Sequence, residues 1–204
     1  MRAEECGISD AYILLVCNAN LSPEFGSDPV MKTPIEAVAS DEARTERDAP
    51  ADARRTALLV LGMHRSGTSA ITRVMSLLGA QLPARLMPAA EDNNPTGFWE
   101  SATLQTMHDE LLASAGSAWD DWRPFNRQWY DAEISDRFAA RARILLDSEF
   151  GPAPLLALKD PRICRFAPFW FRLLATARVR ACCIVPVRNP LEVAESLSRR
   201  DGLS

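Results

Sequence analysis

Metal ligands are scarce in this sequence. Only two histidines, His64 and His108, stand among its 204 residues, and its five cysteines (Cys6, Cys17, Cys164, Cys182 and Cys183) contain no C-x-x-C pair. A zinc centre needs three or four Cys, His or acidic ligands at regular spacing, so no metal is expected. Three of the cysteines fall in strongly apolar or aromatic surroundings, where a thiol serves as a small hydrophobe, and this points to a reducing, cytoplasmic setting. Long hydrophobic runs are also missing. The longest, Ala11 to Cys17, is far below the roughly 20 residues of a spanning helix, and it follows Glu4 and Glu5 instead of the basic start of a secretory signal. No membrane span is expected. Finally, there is no excess of positive charge: Lys and Arg number 23 against 27 Asp and Glu, for a net charge of −4 and a pI near 5.3. A phosphate backbone demands a basic surface, so nucleic acid is excluded as the main partner. An anion bound here must be small and held locally.

What is present is enough for one core. The hydrophobic content of 47% and charged content of 25% are those of an ordinary globular domain. Residues 1–55 read as a poorly ordered N-terminal extension and linker, because Asp41 to Arg55 runs DEARTERDAPADARR, with charge, Ala and Pro but no aromatic residue. A short strand over Tyr12 to Val16 is the alternative for the apolar run in this extension. The domain is placed at residues 56–204.

It opens on Ala57-Leu58-Leu59-Val60-Leu61, a continuous apolar run suited to a strand covered on both faces. Ile71, Val74, Met75 and Leu78 then recur at i, i+3, i+4 and i+7, the stripe of a helix that Gly79 is placed to end. A second helix is predicted from near Ser101 to Gly116, with Leu104, His108, Leu111, Leu112 and Ala115 on one face, and a third over Ala132 to Ser148. Pro154 to Leu158 and Ala181 to Val187 read as further buried strands. After the last, Asn189 is a plausible N-cap and Pro190 sits at N1, opening a helix through Ser196 to Arg200. Strands alternating with helices imply a parallel α/β sheet, whose ligands collect beyond the carboxyl ends of its strands. The unusual polar segments, after Leu61, Leu158 and Val187, all fall at those ends.

The first of these is Gly62-Met63-His64-Arg65-Ser66-Gly67-Thr68-Ser69. It keeps the G-x-x-x-x-G spacing of the nucleotide P-loop but has Thr68 where that motif has lysine. Glycines let successive N–H groups turn toward one anion, and the following helix adds the positive end of its dipole. The hydroxyls of Ser66, Thr68 and Ser69 can donate to oxyanions, and Arg65 supplies a guanidinium fork. His64 reads as a loop-shaping residue.

HRSGTS after a hydrophobic strand resembles the 5′-phosphosulfate loop of sulfotransferases, and RSGT is similar to the loop of the tyrosylprotein branch. The resemblance covers roughly Thr56 to Ser204. It implies a three-layer α/β sandwich with a central parallel sheet and P-loop NTPase-like topology. It also implies transfer of a sulfuryl group from 3′-phosphoadenosine 5′-phosphosulfate to a hydroxyl or amine on a small-molecule, carbohydrate, lipid or peptide acceptor. Gly62, Arg65, Ser66, Gly67, Thr68 and Ser69 would hold the donor's 5′ end. Arg188, at a strand end, and Ser196, eight residues on, match the pair that binds its 3′-phosphate. Lys159 in LKDPR resembles a lysine that approaches the sulfuryl group, with an ion pair to Asp160 or a neighbouring acid as its structural alternative; Arg162 could serve either purpose.

For the base, Glu100 in GFWES is the first choice, because a carboxylate in an aromatic setting can have its pKa raised. Glu91 and His108 are the other candidates, and a helix-start acid is the plain alternative for Glu100. Trp119, Trp122, Trp129 and Trp170 could line an acceptor pocket or fill the core. Family members continue beyond the position of Ser204, so the chain is expected to be the N-terminal two thirds of such an enzyme. A non-catalytic nucleotide-binding remnant is therefore one alternative. A P-loop kinase or NTPase is another, disfavoured by Thr68 and by Arg188 at the end of the third strand, where a magnesium-binding Asp would stand.

Overall fold

The computed structural model describes residues 55–91 and 93–202, together with the strand Tyr12–Cys17. The chain order is β1 (Tyr12–Cys17), β2 (Thr56–Val60), α1 (Thr68–Leu77), α2 (Ala102–Ser114), a 3-10 turn at Arg127–Asp131, α3 (Glu133–Phe150), β3 (Leu155–Lys159), α4 (Ile163–Thr176), β4 (Arg180–Val187) and α5 (Pro190–Asp201). Strand order across the sheet is β1-β4-β2-β3. β2 lies between two parallel neighbours, with Leu58 opposite Ala157 on β3 and Cys182 on β4. The three parallel strands form an open sheet flanked by helices, an α/β arrangement compatible with an α/β sandwich.

Two expectations about the strands change. The extension at residues 1–55 contains a strand, β1, which pairs antiparallel with β4 from Tyr12↔Val187 to Cys17↔Cys182. The sheet is therefore mixed at that edge. Residues 1–11 and 18–54, which hold the rest of the expected linker, lie outside the described residues. On the far edge β3 is covered by one residue: Gln81 N donates to Leu155 O, and Ala157 N donates to Gln81 O, both at 2.9 Å. These bonds satisfy edge groups that would otherwise face outward.

The core sits on one face of the sheet. Leu104, Leu111, Phe138, Leu146, Phe166 and Trp170 of α2, α3 and α4 pack with Leu59 and Leu158 in a single buried cluster. Each fully buried Leu or Phe in such a cluster contributes about 1.5–3 kcal/mol over an exposed one. Side chains alternate along a strand, so Val60 and Lys159 turn away from this cluster toward the side on which α1 packs against β2 and β3.

Local chemistry fixes the helix ends. The Ser101 hydroxyl accepts from Leu104 N at 3.1 Å to start α2, and the Asn189 side chain accepts from Leu191 N at 2.9 Å with Pro190 behind it to start α5. Asn189 is the cap the sequence predicts, and Ser101 lies where the sequence predicts a helix to begin. α4 is an addition, since no helix is expected between Arg162 and Ala181. It kinks at Phe166 (φ −134°, ψ 33°), and Pro168 falls in the first turn after the kink, where a missing N–H breaks no bond. None of the described helices is long and apolar enough to cross a membrane.

The chain passes from β2 outward to β3, then crosses back over β2 to β4. This reversal leaves a crevice at the carboxyl ends of the parallel strands, where the segments after Val60, Lys159 and Val187 meet.

Candidate functional site

The loop after β2 is shaped by close contacts and two left-handed residues. A Cβ on Gly62 would stand 2.9 Å from Ser66 Oγ and 2.9 Å from Thr68 Cγ2, so only glycine fits there. Gly67 has φ +89° and Arg65 φ +67°; the first is easy for glycine, while the second is uncommon for a side-chain residue and directs Arg65 outward from the turn. Helix α1 makes its first backbone bond from Ile71 N to Gly67 O. The amides of Thr68, Ser69 and Ala70 precede that bond and have no helical acceptor. The Ser66 hydroxyl donates to Met63 O at 2.6 Å. It closes the loop between Met63 and Ser66.

Beyond this loop lies a cavity of about 680 Å³. Among the described residues its charged lining consists of Arg65, Arg73, Lys159, Arg188 and Arg200 against one carboxylate, Glu100. On a protein of net charge −4 this is a local concentration of positive potential, the condition for holding a small anion. A smaller hollow of about 160 Å³ adjoins it, lined by Arg65, Asn93, Ser196, Arg199 and Arg200.

Arg65 joins the two. Its Nε donates to Ser196 Oγ at 2.8 Å and its Nη1 to Asn93 O at 3.2 Å, while its own carbonyl accepts from Arg188 Nη1 at 3.1 Å. Arg188 Nε also donates to Glu192 at 2.9 Å. Arg188 thus lines the larger cavity and Ser196 the smaller one, with Arg65 between them.

Lys159 is 3% exposed, a position that a cation tolerates only when fully partnered. Its Nζ donates to Ser69 Oγ and to Phe98 O, each at 3.2 Å, and forms a buried ion pair with Glu100. The partner is Glu100, not Asp160. Ser69 Oγ also accepts from Asn94 Nδ2 at 3.2 Å, so the loop after β2, the end of β3 and the segment before α2 are knitted at one point. Burial pushes the Glu100 carboxyl up to about 7, against the lowering effect of Lys159 and with a further raising contribution from Asp160.

The other candidate bases are placed differently. Glu91 is exposed in a turn and does not line the cavity. His108 is completely buried: Nδ1 lies 2.7 Å from Asp160 Oδ2, and Nε2 accepts from Trp170 Nε1 at 3.1 Å. With Nε2 accepting, the ring proton belongs on Nδ1, and His108 belongs to the core beneath the site. Arg162 reaches Asp160 and Asp109, with Glu100 at 4.0 Å. His64 lines the cavity edge-on to Trp119 at 4.9 Å, and its buried Nε2 has no hydrogen-bond partner among the described residues. Burial, then Arg200, lowers its pKa to about 4.

Of the four tryptophans considered for an acceptor pocket, Trp129 and Trp170 are core and Trp122 is exposed, while Trp119 lies under Arg200 at 5.7 Å and against His64. The tryptophan that lines the cavity is Trp99, with φ +59° and Arg73 4.7 Å over its ring. Sequence reading missed Arg73, Trp99, Arg199 and Arg200. The last two look like ordinary basic complements to the end of α5.

No protein-family model, curated protein or solved structure matches this chain. Among the described residues, no group of three or more His, Cys, Asp or Glu side chains is placed to hold a metal ion.

Proposed function

We propose that this chain is a sulfotransferase of P-loop-like topology, moving a sulfuryl group from 3′-phosphoadenosine 5′-phosphosulfate to a hydroxyl or amine acceptor. The observation that carries the reading is the meeting of the glycine loop, Lys159 and Arg188 around one cation-rich cavity that also holds the buried carboxylate of Glu100. The donor's two anionic ends match the two hollows that share Arg65. Amides of Thr68 to Ala70 and the fork of Arg65 would hold the 5′ end, and Ser196 with the neighbouring arginines the 3′-phosphate.

In the reaction, the acceptor oxygen or nitrogen attacks sulfur in line, the new bond to sulfur forms, and the bond from sulfur to the 5′-phosphate oxygen breaks. The acceptor proton passes to Glu100, ionised above about pH 7. Negative charge on the departing phosphate meets Arg65, Lys159 and the loop amides, which are already oriented before the reaction begins. Lys159 exchanges one of its present partners for the sulfuryl or phosphate oxygen.

The test is calorimetry with adenosine 3′,5′-bisphosphate against ATP plus magnesium, followed by transfer of labelled sulfate to a panel of hydroxyl and amine acceptors. Preference for the bisphosphate and label transfer support the reading. Preference for ATP with magnesium would replace it with a kinase or NTPase.

A further inference from the structure

A chain of buried polar contacts runs beneath the cavity and includes none of the residues that would touch the donor. Trp170 on α4 donates to His108 on α2 at 3.1 Å, and His108 Nδ1 meets Asp160 Oδ2 at 2.7 Å. Asp160 Oδ1 accepts from Arg162 N at 2.9 Å and from Arg162 Nη1 at 3.1 Å, and Arg162 Nε donates to Asp109 Oδ1 at 2.5 Å. His108 and Trp170 are fully buried and Asp160 is 2% exposed. A group this buried costs several kcal/mol to ionise without partners, and an apolar trio would satisfy the core equally well.

The placement of the chain suggests its role. Asp160 directly follows Lys159, and His108 lies on the helix that begins just after Glu100. The two pairs, Lys159 with Glu100 and Asp160 with His108, therefore join the same two elements at successive levels. The charged groups facing Glu100 are Lys159 and Asp160 from the end of β3 and Arg162 from the start of α4, with Asp109 of α2 behind Arg162. Arg162 is the critical one. At 4.0 Å from Glu100 Oε2 it needs only a small movement to form a two-cation clamp, which would fix Glu100 as a carboxylate and a poor proton acceptor.

We infer that Asp160, held in place by His108 and Trp170, is a positioning residue for Glu100: it keeps Arg162 engaged and leaves Lys159 as the cation in hydrogen-bond contact with the Glu100 carboxylate. The inference rests on Glu100 being the base of the proposed reaction. It goes beyond that reading by assigning the buried trio to control of that base. Trp170 Nε1 donates to His108 Nε2 and so turns Nδ1 of the ring toward Asp160.

The experiment is a carbon-13 NMR titration of the Glu100 carboxyl in the full chain, with Glu100→Gln used to assign the resonance. Asp160→Asn is expected to lower the Glu100 midpoint by about one unit, the size of effect one neighbouring charge exerts. A folded Asp160→Asn protein with an unmoved midpoint overturns the inference. A second measurement needs no substitution: nitrogen-15 NMR should show a coupling across the hydrogen bond from Trp170 Nε1 to His108 Nε2. Its absence also overturns the inference. Neither readout depends on turnover. Absence of bisphosphate binding and label transfer in the unmodified chain would sink the sulfotransferase reading while the titration still decides the role of Asp160.

Discussion

Arg65 Nε donates to Ser196 Oγ at 2.8 Å, which binds the first loop of the domain to its last helix across 131 positions of sequence. The contact makes the two hollows of the site one mechanical unit. Binding of adenosine 3′,5′-bisphosphate should therefore respond non-additively to Arg65→Ala and Ser196→Ala. A double-mutant cycle by calorimetry is expected to give a coupling of about 1 kcal/mol, within the range for residues in direct contact. Simple additivity would mean that the bond is irrelevant to ligand binding.

Turnover should depend on Arg65 more steeply than binding does. Arg65→Ala is expected to lower kcat by about 10²- to 10³-fold, the usual effect of removing one donor from a developing charge. Arg65→Lys should rescue little, because the compact ammonium lacks the planar fork whose Nε and Nη1 reach Ser196 and Asn93 separately. Steady-state kinetics of both variants, with bisphosphate affinity as the control, checks this.

The two loop glycines should fail in different ways. Gly67→Ala meets open space but must hold φ +89°, so it is expected to lose about 1–2 kcal/mol of stability by urea unfolding. Gly62→Ala adds a methyl 2.9 Å from Ser66 and Thr68, so the loop must open. Its phosphate and bisphosphate affinity should fall at least about tenfold, roughly 1.4 kcal/mol.

Glu100 gives activity and stability opposite slopes. Its carboxyl is raised from an ordinary 4.5 to about 7 in the folded chain, so between those values the folded state holds more protons than the unfolded one. This contribution to stability is fully present below about pH 4.5 and is lost as pH rises through about 7. As the proposed base, by contrast, Glu100 becomes competent only as it ionises. Urea midpoints from pH 5 to 8 should fall less steeply in Glu100→Gln than in the unmodified chain, while kcat/KM of the unmodified chain rises across the same window.

His64 works in the other direction. Its folded value of about 4 lies below the ordinary 6.5, so its contribution is present above pH 6.5 and is lost as pH falls toward 4. His64→Phe keeps the ring contact with Trp119 and removes the titrating group. Thermal unfolding between pH 4 and 7 should become less acid-sensitive in this variant.

How far the sequence revealed this arrangement depends on the reach of each signal. β2 and the helix after it were legible because an apolar run, a glycine turn and an i, i+3, i+4, i+7 stripe are local patterns. Ser101 and Asn189 announced helix starts for the same reason. α4 was hidden by Pro168, whose harmless position depends on the kink at Phe166. The convergence of Arg65, Lys159 and Arg188 followed from strand alternation, since strand ends share one edge. Which acid would pair with Lys159 did not, because Glu100 is 59 residues away and only packing of α2 against the sheet brings it there. His108 looked like a candidate base until its burial between Trp170 and Asp160 was seen, and no pattern in the neighbouring residues distinguishes those two situations.

The antiparallel course of β1 has a practical consequence. Its first residue, Tyr12, stands opposite Val187, one position before Arg188. Three strands point their exits at the crevice, whereas this one makes its entrance there. A fluorescent reporter attached at Tyr12 itself would stand at the rim beside Val187, so labels intended to leave the cavity undisturbed belong elsewhere.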